Sequence, residues 1–346
     1  MIVPPEVLHS FGLEPNRCRA VAIEIGLINH TWRVETPAQP RILQRLHPIF
    51  APEVNLDIEA ITEHIESRGM VTPRLFRTTA DELWARDADG GVWRMMTFLD
   101  GRIVATITEP WMAQGAGEIA GRFHRAVSDL DHRFHFERPG AHDTPAHMAR
   151  LEATLRDLRT HRAYDAVAPT ASDILEHAKT LEPLPTGPRR IIHGDLKVTN
   201  VLFDNTGLHA RALLDLDTMA HLPLAIEMGD ALRSWCNPAG ESAESASFDA
   251  AIFESAVRAY ASAAGELVTP DEQRAIVAGA ETIALELSAR FCADALNESY
   301  FGWDNSRFAS RSEHNLVRAR SQHSVAHSVR SQRSALEQIV DRAFGR

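Results

Sequence analysis

Apolar and polar positions alternate with a period of two through much of the first hundred residues. The runs "RAVAIEIG" (19–26), "HTWRVET" (30–36), "RILQRLH" (41–47), "LFRTT" (75–79), "ELWARD" (82–87) and "VWRMMTFLDG" (92–101) read as strands. "ADGG", Ala88 to Gly91, is a hairpin turn signal between the last two. One stretch follows a different period: in "PEVNLDIEAITEHIESRG", Val54, Ile58, Ile61 and Ile65 fall on one helical face and Gly69 stops the helix. Residues 1–100 are therefore expected to form an antiparallel sheet carrying one helix.

After "LDGRIV" the pattern turns helical, over about Glu109–Leu130, Thr144–Arg162 and Ala171–Leu181. "EPLPTGPRR" then leads into short strands at "RIIH", "NVLFD" and "RALLDLD", and helices resume to the end. Residues 101–346 are thus expected to form a helical lobe with a small central β-loop. The fold class is α+β, and the order of a β-rich lobe, a hinge and a helical lobe resembles the two-lobed protein-kinase architecture.

Composition narrows the function classes. With 44% hydrophobic and 24% charged residues, the 346-residue chain belongs with globular proteins. A formal net charge of −11 argues against a nucleic-acid partner, whose phosphates need neutralising Lys and Arg. No run of apolar residues is long enough to span a bilayer, and "MIVPPEVLHSF" lacks the features of a signal peptide, so no membrane partner and a cytoplasmic location are expected. Cys18, Cys236 and Cys292 are scattered, which disfavours both a disulfide framework and a cysteine zinc site. Residues 305–346 carry 8 Arg against 3 acids and read as the solvated face of a helix. Among 36 basic residues only Lys179 and Lys197 are lysines, which draws attention to each.

Lys197 lies in the most polar short stretch of the chain, "HGDLKVTN". An Asp (Asp195), an Asn five residues on (Asn200) and an Asp fifteen beyond that (Asp215, in "LLDLD") sit at the edges of short strands. Phosphoryl transfer needs these types: one carboxylate to accept a hydroxyl proton, and an Asn and a second carboxylate as hard oxygen ligands for Mg2+. The pattern matches H-x-D-x-x-x-x-N followed by a metal-binding Asp, with Asp215-Leu216-Asp217 where kinases carry Asp-Phe-Gly.

At these residues the chain resembles the aminoglycoside phosphotransferase and choline kinase superfamily. "GLINHTWRV", "ILQRL", "HDTP", "GDALRS", "RFCADALNESYF" and "HNLVRARSQ" extend the resemblance, which is greatest to the N-acetylhexosamine 1-kinase branch, from residue 26 to about 322. The resemblance implies ATP and Mg2+ as cofactors, Asp195 as catalytic base, Asn200 and Asp215 as metal ligands, and Lys197 beside the transferring phosphate. His193 is read as orienting the loop. Asp217, directly after the metal-binding strand, would be a further ligand or reach the substrate.

The N-terminal lobe departs from the family pattern in having no lysine to pair with the nucleotide phosphates. Gln44 and Arg45 stand at that position and point to opposite faces, so only one can serve. Glu59 or Glu63 would be the helix acid. There is no G-x-G-x-x-G loop; backbone N–H groups from Gly26 to Thr31 are the candidates to cover phosphates. Met96, Thr97, Phe98 and Leu99 would line the adenine. For the acceptor, His30, Arg233, Arg290 and Tyr300, with Asp217, offer polar and aromatic groups, and the resemblance implies a sugar phosphorylated at its anomeric hydroxyl. Against a neutral sugar, residues 220–300 hold 13 acids and 4 Arg, which suits a polycationic aminoglycoside or an amino alcohol. A nucleotide-binding pseudokinase and a metal hydrolase are the alternatives from other classes.

Overall fold

The computed structural model describes residues 3–23, 28–185, 187–206 and 209–345. The chain divides into two compact units, and the division does not follow a single cut near residue 100. The first unit joins Met1–Gly101 with Asp129–Glu137 and Ala212–Asp217; the second holds Arg102–Ser128, Arg138–Arg211 and Thr218–Arg346.

The first unit is built on an antiparallel sheet. Its strands are β1 (Arg19–Ile23), β2 (His30–Glu35), β3 (Arg41–Arg45), β4 (Leu75–Phe76), β5 (Ala85–Arg86) and β6 (Val92–Thr97), in the order β1-β2-β3-β6-β4 with β5 also on β6. The alternation read from the sequence sorts the two faces. Trp32, Val34, Leu43, Trp93 and Met95 are buried on one face, where the indoles of Trp32 and Trp93 meet at 5.2 Å. That face is covered by a short helix, α1 (Pro5–Ser10), absent from the sequence-based expectation. Val3, Val7, Leu8, Phe11 and Leu13 around it complete the core. The expected turn between β5 and β6 forms as a tight loop in which Asp87 accepts hydrogen bonds from Asp89 N, Gly91 N and Trp93 Nε1.

The single expected helix of this unit is α2 (Val54–Ser67), with Val54, Ile58, Ile61 and Ile65 buried. Asp57 is buried beside them, and its carboxylate ties down the 129–137 segment through His132 Nε2, His135 N, His135 Nδ1 and Phe136 N at 2.8–3.0 Å.

The second unit is mainly helical. Strand β7 (Arg102–Ile103) is followed by α3 (Pro110–Ala126), α4 (Thr144–Asp157) and α5 (Tyr164–Ala178). Then come β8 (Arg189–Ile192), β9 (Val201–Phe203), β10 (Ala210–Leu213), whose last two residues belong to the first unit, and β11 (Ala220–Pro223). The chain closes with α6 (Leu224–Trp235), α7 (Ala250–Ala264), α8 (Pro270–Asn297) and α9 (Arg311–Ala343). Helix α5 starts before the expected Ala171 and runs through Pro169, and β11, which pairs with β8, was not expected. Helix α8 lies against α6 at two glycines: a Cβ on Gly229 would fall 2.5 Å from Gly279 O, and one on Gly279 would fall 2.1 Å from Ala225 O. This close approach fixes the position of α6, whose Glu227 and Ser234 accept hydrogen bonds from the backbone of residues 193, 194 and 198. Among the described residues no helix is long and apolar enough to cross a membrane.

Candidate active site

In the second unit, the segment after β8 turns sharply at Gly194, which has φ +77°. A Cβ there would lie 2.2 Å from Thr218 O, so only glycine fits without moving backbone. Leu196, Val198 and Val201 are buried and peg the segment to the core, which leaves the alternate polar positions to face outward. A helical turn over Val198–Asn200 brings Asn200 back beside Asp195.

Asp195 and its neighbours form a compact group. Asn200 Nδ2 donates to Asp195 O at 2.7 Å and to Oδ2 at 3.1 Å, and the Lys197 ammonium also donates to Oδ2. Oδ1 takes no hydrogen bond from the described residues, and the side chain keeps 23% of its surface exposed. Partial burial pushes the Asp195 carboxyl up, but the Lys197 charge, its hydrogen bond, and the charges of His193 and Arg233 outweigh that, so the pKa lies below its ordinary value. The group is an ionised carboxylate with one oxygen committed and one open.

Glu227 on α6 organises this loop. Its carboxylate accepts from His193 N at 2.8 Å and Gly194 N at 2.9 Å, and faces His124 Nε2 at 3.3 Å. Burial raises the Glu227 carboxyl, and the hydrogen bond and charge of His124, with His193 and the Gly194 N–H, bring it below its usual value. Ser234, two turns further along α6, accepts from Val198 N at 3.1 Å. His193 is fully buried, and its Nδ1 accepts from Asp195 N at 3.3 Å. Sequence reading passed over Glu227; its signal is an acid between apolar positions in "LAIEM".

Asn200 suits a hard cation. Its amide nitrogen is turned to Asp195, which leaves Oδ1, the type of ligand Mg2+ takes, without a partner among the described residues. Asp215, in the first unit, adopts φ +63°, a left-handed conformation that Asp tolerates better than most residues.

Asp217, also in the first unit, has a different environment from the one expected. It is 2% exposed. Arg94 grips it with both terminal nitrogens, Nη2 reaching Oδ2 at 2.9 Å, and Asn29 Nδ2 donates to Oδ2 at 2.6 Å. Both carboxylate oxygens are engaged, so Asp217 anchors this unit and is not an open ligand or substrate contact. Arg94 was overlooked in the sequence. It projects from β6 on the face opposite Trp93 and Met95, where Thr31, Gln44 and Arg94 form a row across three strands. Gln44 donates to Thr31 Oγ1 at 3.1 Å and accepts from Arg94 Nε at 2.9 Å. Of the two lysine replacements considered, Gln44 therefore lies on the Arg94 face, whereas Arg45 lies on the other and pairs with Asp87 at 3.4 Å.

The remaining candidates are placed as follows. Glu59 lies 3.7 Å from Arg74 and 3.6 Å from Arg77 and pairs with no strand cation; Glu63 is exposed. Met96 and Thr97 end β6, and Phe98 and Leu99 follow, all half-buried, with the Arg33 guanidinium 4.5 Å over the Phe98 ring. Of the phosphate-covering stretch expected from Gly26 to Thr31, Gly26 and Leu27 lie outside the described residues, and His30 is exposed at the start of β2. Arg233 is buried between Asp230 and Glu241, and its two ion pairs outweigh burial to raise its pKa. That environment leaves the Arg233 guanidinium buried and engaged by two carboxylates, and not an open substrate contact. Arg290 lies 3.8 Å from Glu286, and Tyr300 is exposed and accepts from Arg138 at 3.1 Å. Asp294 fixes the turn that carries Tyr300 by accepting from Ser299 N, Tyr300 N and Phe301 N.

Residues 19–265 match the model of the APH phosphotransferase enzyme family. Three solved structures illustrate the fold. An aminoglycoside phosphotransferase from Alicyclobacillus acidocaldarius is 15% identical with a TM-score of 0.62, covering 97% of both chains. A microcompartment-associated aminopropanol kinase is 15% identical with a TM-score of 0.63, covering 96% of this chain and 97% of that one. An amicoumacin kinase in complex with AMP-PNP, Ca2+ and Ami is 14% identical with a TM-score of 0.59, covering 89% of this chain and 87% of that one. Because the family model spans most of the sequence, the chain belongs to the phosphotransferase enzyme family and is a phosphotransferase.

Proposed function

We propose that this phosphotransferase moves the γ-phosphoryl group of ATP to a hydroxyl of a small molecule, and that the acceptor is a sugar phosphorylated at its anomeric hydroxyl, as in the N-acetylhexosamine 1-kinase branch. The observation that carries the proton-transfer step is the asymmetry of Asp195: Oδ2 is held by Lys197 and Asn200, and Oδ1 is left to accept the acceptor's proton. The depressed pKa keeps the carboxylate ionised at neutral pH, ready to act as base. Asn200 through Oδ1 and Asp215 through its carboxylate would hold Mg2+, which neutralises phosphate charge when bound. Lys197 stands beside the base to stabilise charge on the transferring group. Met96 to Leu99 would receive the adenine, with backbone groups at the end of β6 reading its edge.

The acidic excess of residues 220–300 supplies little support for a polycationic acceptor. Glu227, Glu272, Glu281, Glu286 and Asp294 in that stretch are all buried, and each is already engaged by hydrogen bonds or ion pairs. The stretch therefore presents far less negative surface than its composition suggests. An amino alcohol is the second reading, favoured by the likeness to the aminopropanol kinase.

The experiment is an ATP-consumption screen over N-acetylglucosamine, N-acetylgalactosamine, other free sugars, amino alcohols and aminoglycosides, with NMR mapping of the phosphate. Turnover on an N-acetylhexosamine with phosphate on the anomeric oxygen is expected. Turnover confined to amines would replace the sugar reading, and tight ATP binding with no turnover on any acceptor would favour the pseudokinase.

A further inference from the structure

Three imidazoles meet where α5 and α9 pack together. His177 lies near the C-terminal end of α5, and His323 and His327 lie one turn apart on α9. One ligand nitrogen from each falls within 4.8 Å of the other two. His177 Nδ1 is 3.3 Å from His323 Nε2. Two nitrogens bound to one tetrahedral ion at about 2.05 Å would stand about 3.3 Å apart, so this pair already has the spacing of two ligands on a single metal.

The far side of His177 is organised as metal-bound histidines usually are. Its Nε2 faces Glu281 Oε1 at 3.0 Å, which leaves Nδ1 as the lone-pair nitrogen turned toward the other rings. Glu281 is itself fixed by Arg330 Nε and Arg333 Nη2, each at 2.6 Å. His327 is exposed and makes no hydrogen bond among the described residues, so solvent can reach the cluster.

Among the described residues a second three-residue group, Asp57 with His132 and His135, shows the contrast. There the carboxylate is consumed by hydrogen bonds from both imidazoles and from backbone N–H groups, and the group is a loop anchor.

We propose that His177, His323 and His327 form a binding site for a single Zn2+ ion that staples α5 to α9, with a fourth position filled by water. Nitrogen ligands select Zn2+ or a similar transition ion over Mg2+ and Ca2+, which require oxygen, so the site is chemically separate from the ATP-linked metal. The nearby guanidiniums reduce its affinity below that of three imidazoles alone, and their engagement with Glu281 limits that penalty.

The test uses the full-length chain without a histidine tag, stripped with chelator. Titration calorimetry and thermal denaturation with ZnCl2 should show one equivalent bound and a raised melting temperature, and MgCl2 should not compete. Substituting Co2+ should give the intense visible absorption of a tetrahedral site. His327→Ala, at an exposed position that preserves the fold, should bind Zn2+ at least about tenfold more weakly. His323→Gln should do the same, whereas Asp215→Ala should bind normally. Wild type that takes up no Zn2+ overturns the proposal, as does equal binding by the wild type and both histidine variants. Binding lost in Asp215→Ala but kept in His327→Ala assigns the ion to the transfer site and also overturns it.

Discussion

Asp195 and Asp217 have the same kinds of partner, a cation and an Asn amide, and the details set them to opposite uses. Asp195 meets Lys197 and Asn200 at one oxygen and keeps the other open; Asp217 meets Arg94 and Asn29 with both oxygens taken. The cation explains much of the difference. An arginine fork spans both carboxylate oxygens and locks them, whereas an ammonium is a point charge that can lower a pKa and leave a lone pair exposed. Exposure explains the rest, since Asp217 is sealed and Asp195 keeps part of its surface. A carboxylate beside a cation is thus left open or locked according to which cation it meets and how much water remains.

The sharpest way to break this distinction is to remove one carboxylate at a time. Asp195→Asn should cut turnover by about 10²–10⁴-fold and leave the urea midpoint almost unchanged, because no partner is left buried and unpaired. Asp217→Ala should instead destabilise the fold by about 3–5 kcal/mol in urea denaturation, because Arg94 would remain buried without its counter-charge. Arg94→Met combined with Asp217→Leu should recover much of that loss. If Asp217→Ala kept wild-type stability and lost only activity, the anchor reading would fail.

Lys197→Met comes next in size. It should lower the rate about tenfold by the loss of one charge at the transferring phosphate. It should also shift the acid limb of kcat/KM upward. The wild-type limb reflects a carboxyl held below its ordinary value, so activity is lost only as pH falls through that depressed pKa; without Lys197, burial is the largest remaining influence and raises it. A pH profile of the variant that overlays the wild type would separate Lys197 from the base. The smallest effect is expected for Asn29→Ala, which removes one hydrogen bond to Asp217 and one from His47 N and should cost about 1–2 kcal/mol with kcat retained.

The residues that sequence revealed and those it hid differ in how local their cause is. The alternation in "HTWRVET" and "VWRMMTFLDG" marked β2 and β6 because a strand declares its two faces in successive residues. Asp195, Lys197 and Asn200 were legible as a group because their spacing in one loop is itself the chemistry. Helix α1 was missed because six residues show too little of a helical period, and its apolar positions have meaning only against Trp32 and Trp93. Pro169 reads locally as a helix breaker, yet the packing of Val167, Ala171 and Ile174 carries α5 through it. Arg94 and Glu227 were overlooked for the same reason: a buried charge is explained by its partner, and their partners lie 123 and 34 residues away.

The pairing of β8 with β11 has a consequence for how the catalytic segment opens. Ala220↔Ile192 through Pro223↔Arg189, with Thr218 Oγ1 donating to His193 O at 3.0 Å, close the chain on itself at the two ends of the 193–219 segment. Residues 193–219 are therefore an excursion tied off at its stem. Because loop closure costs only about 0.6 kcal/mol for each doubling of length, residues can be added around Asp204 to His209 with little penalty once the stem is formed. Amide hydrogens at Ile191, Ile192 and His193 should exchange together and slowly, as one opening unit whose release frees the whole catalytic segment.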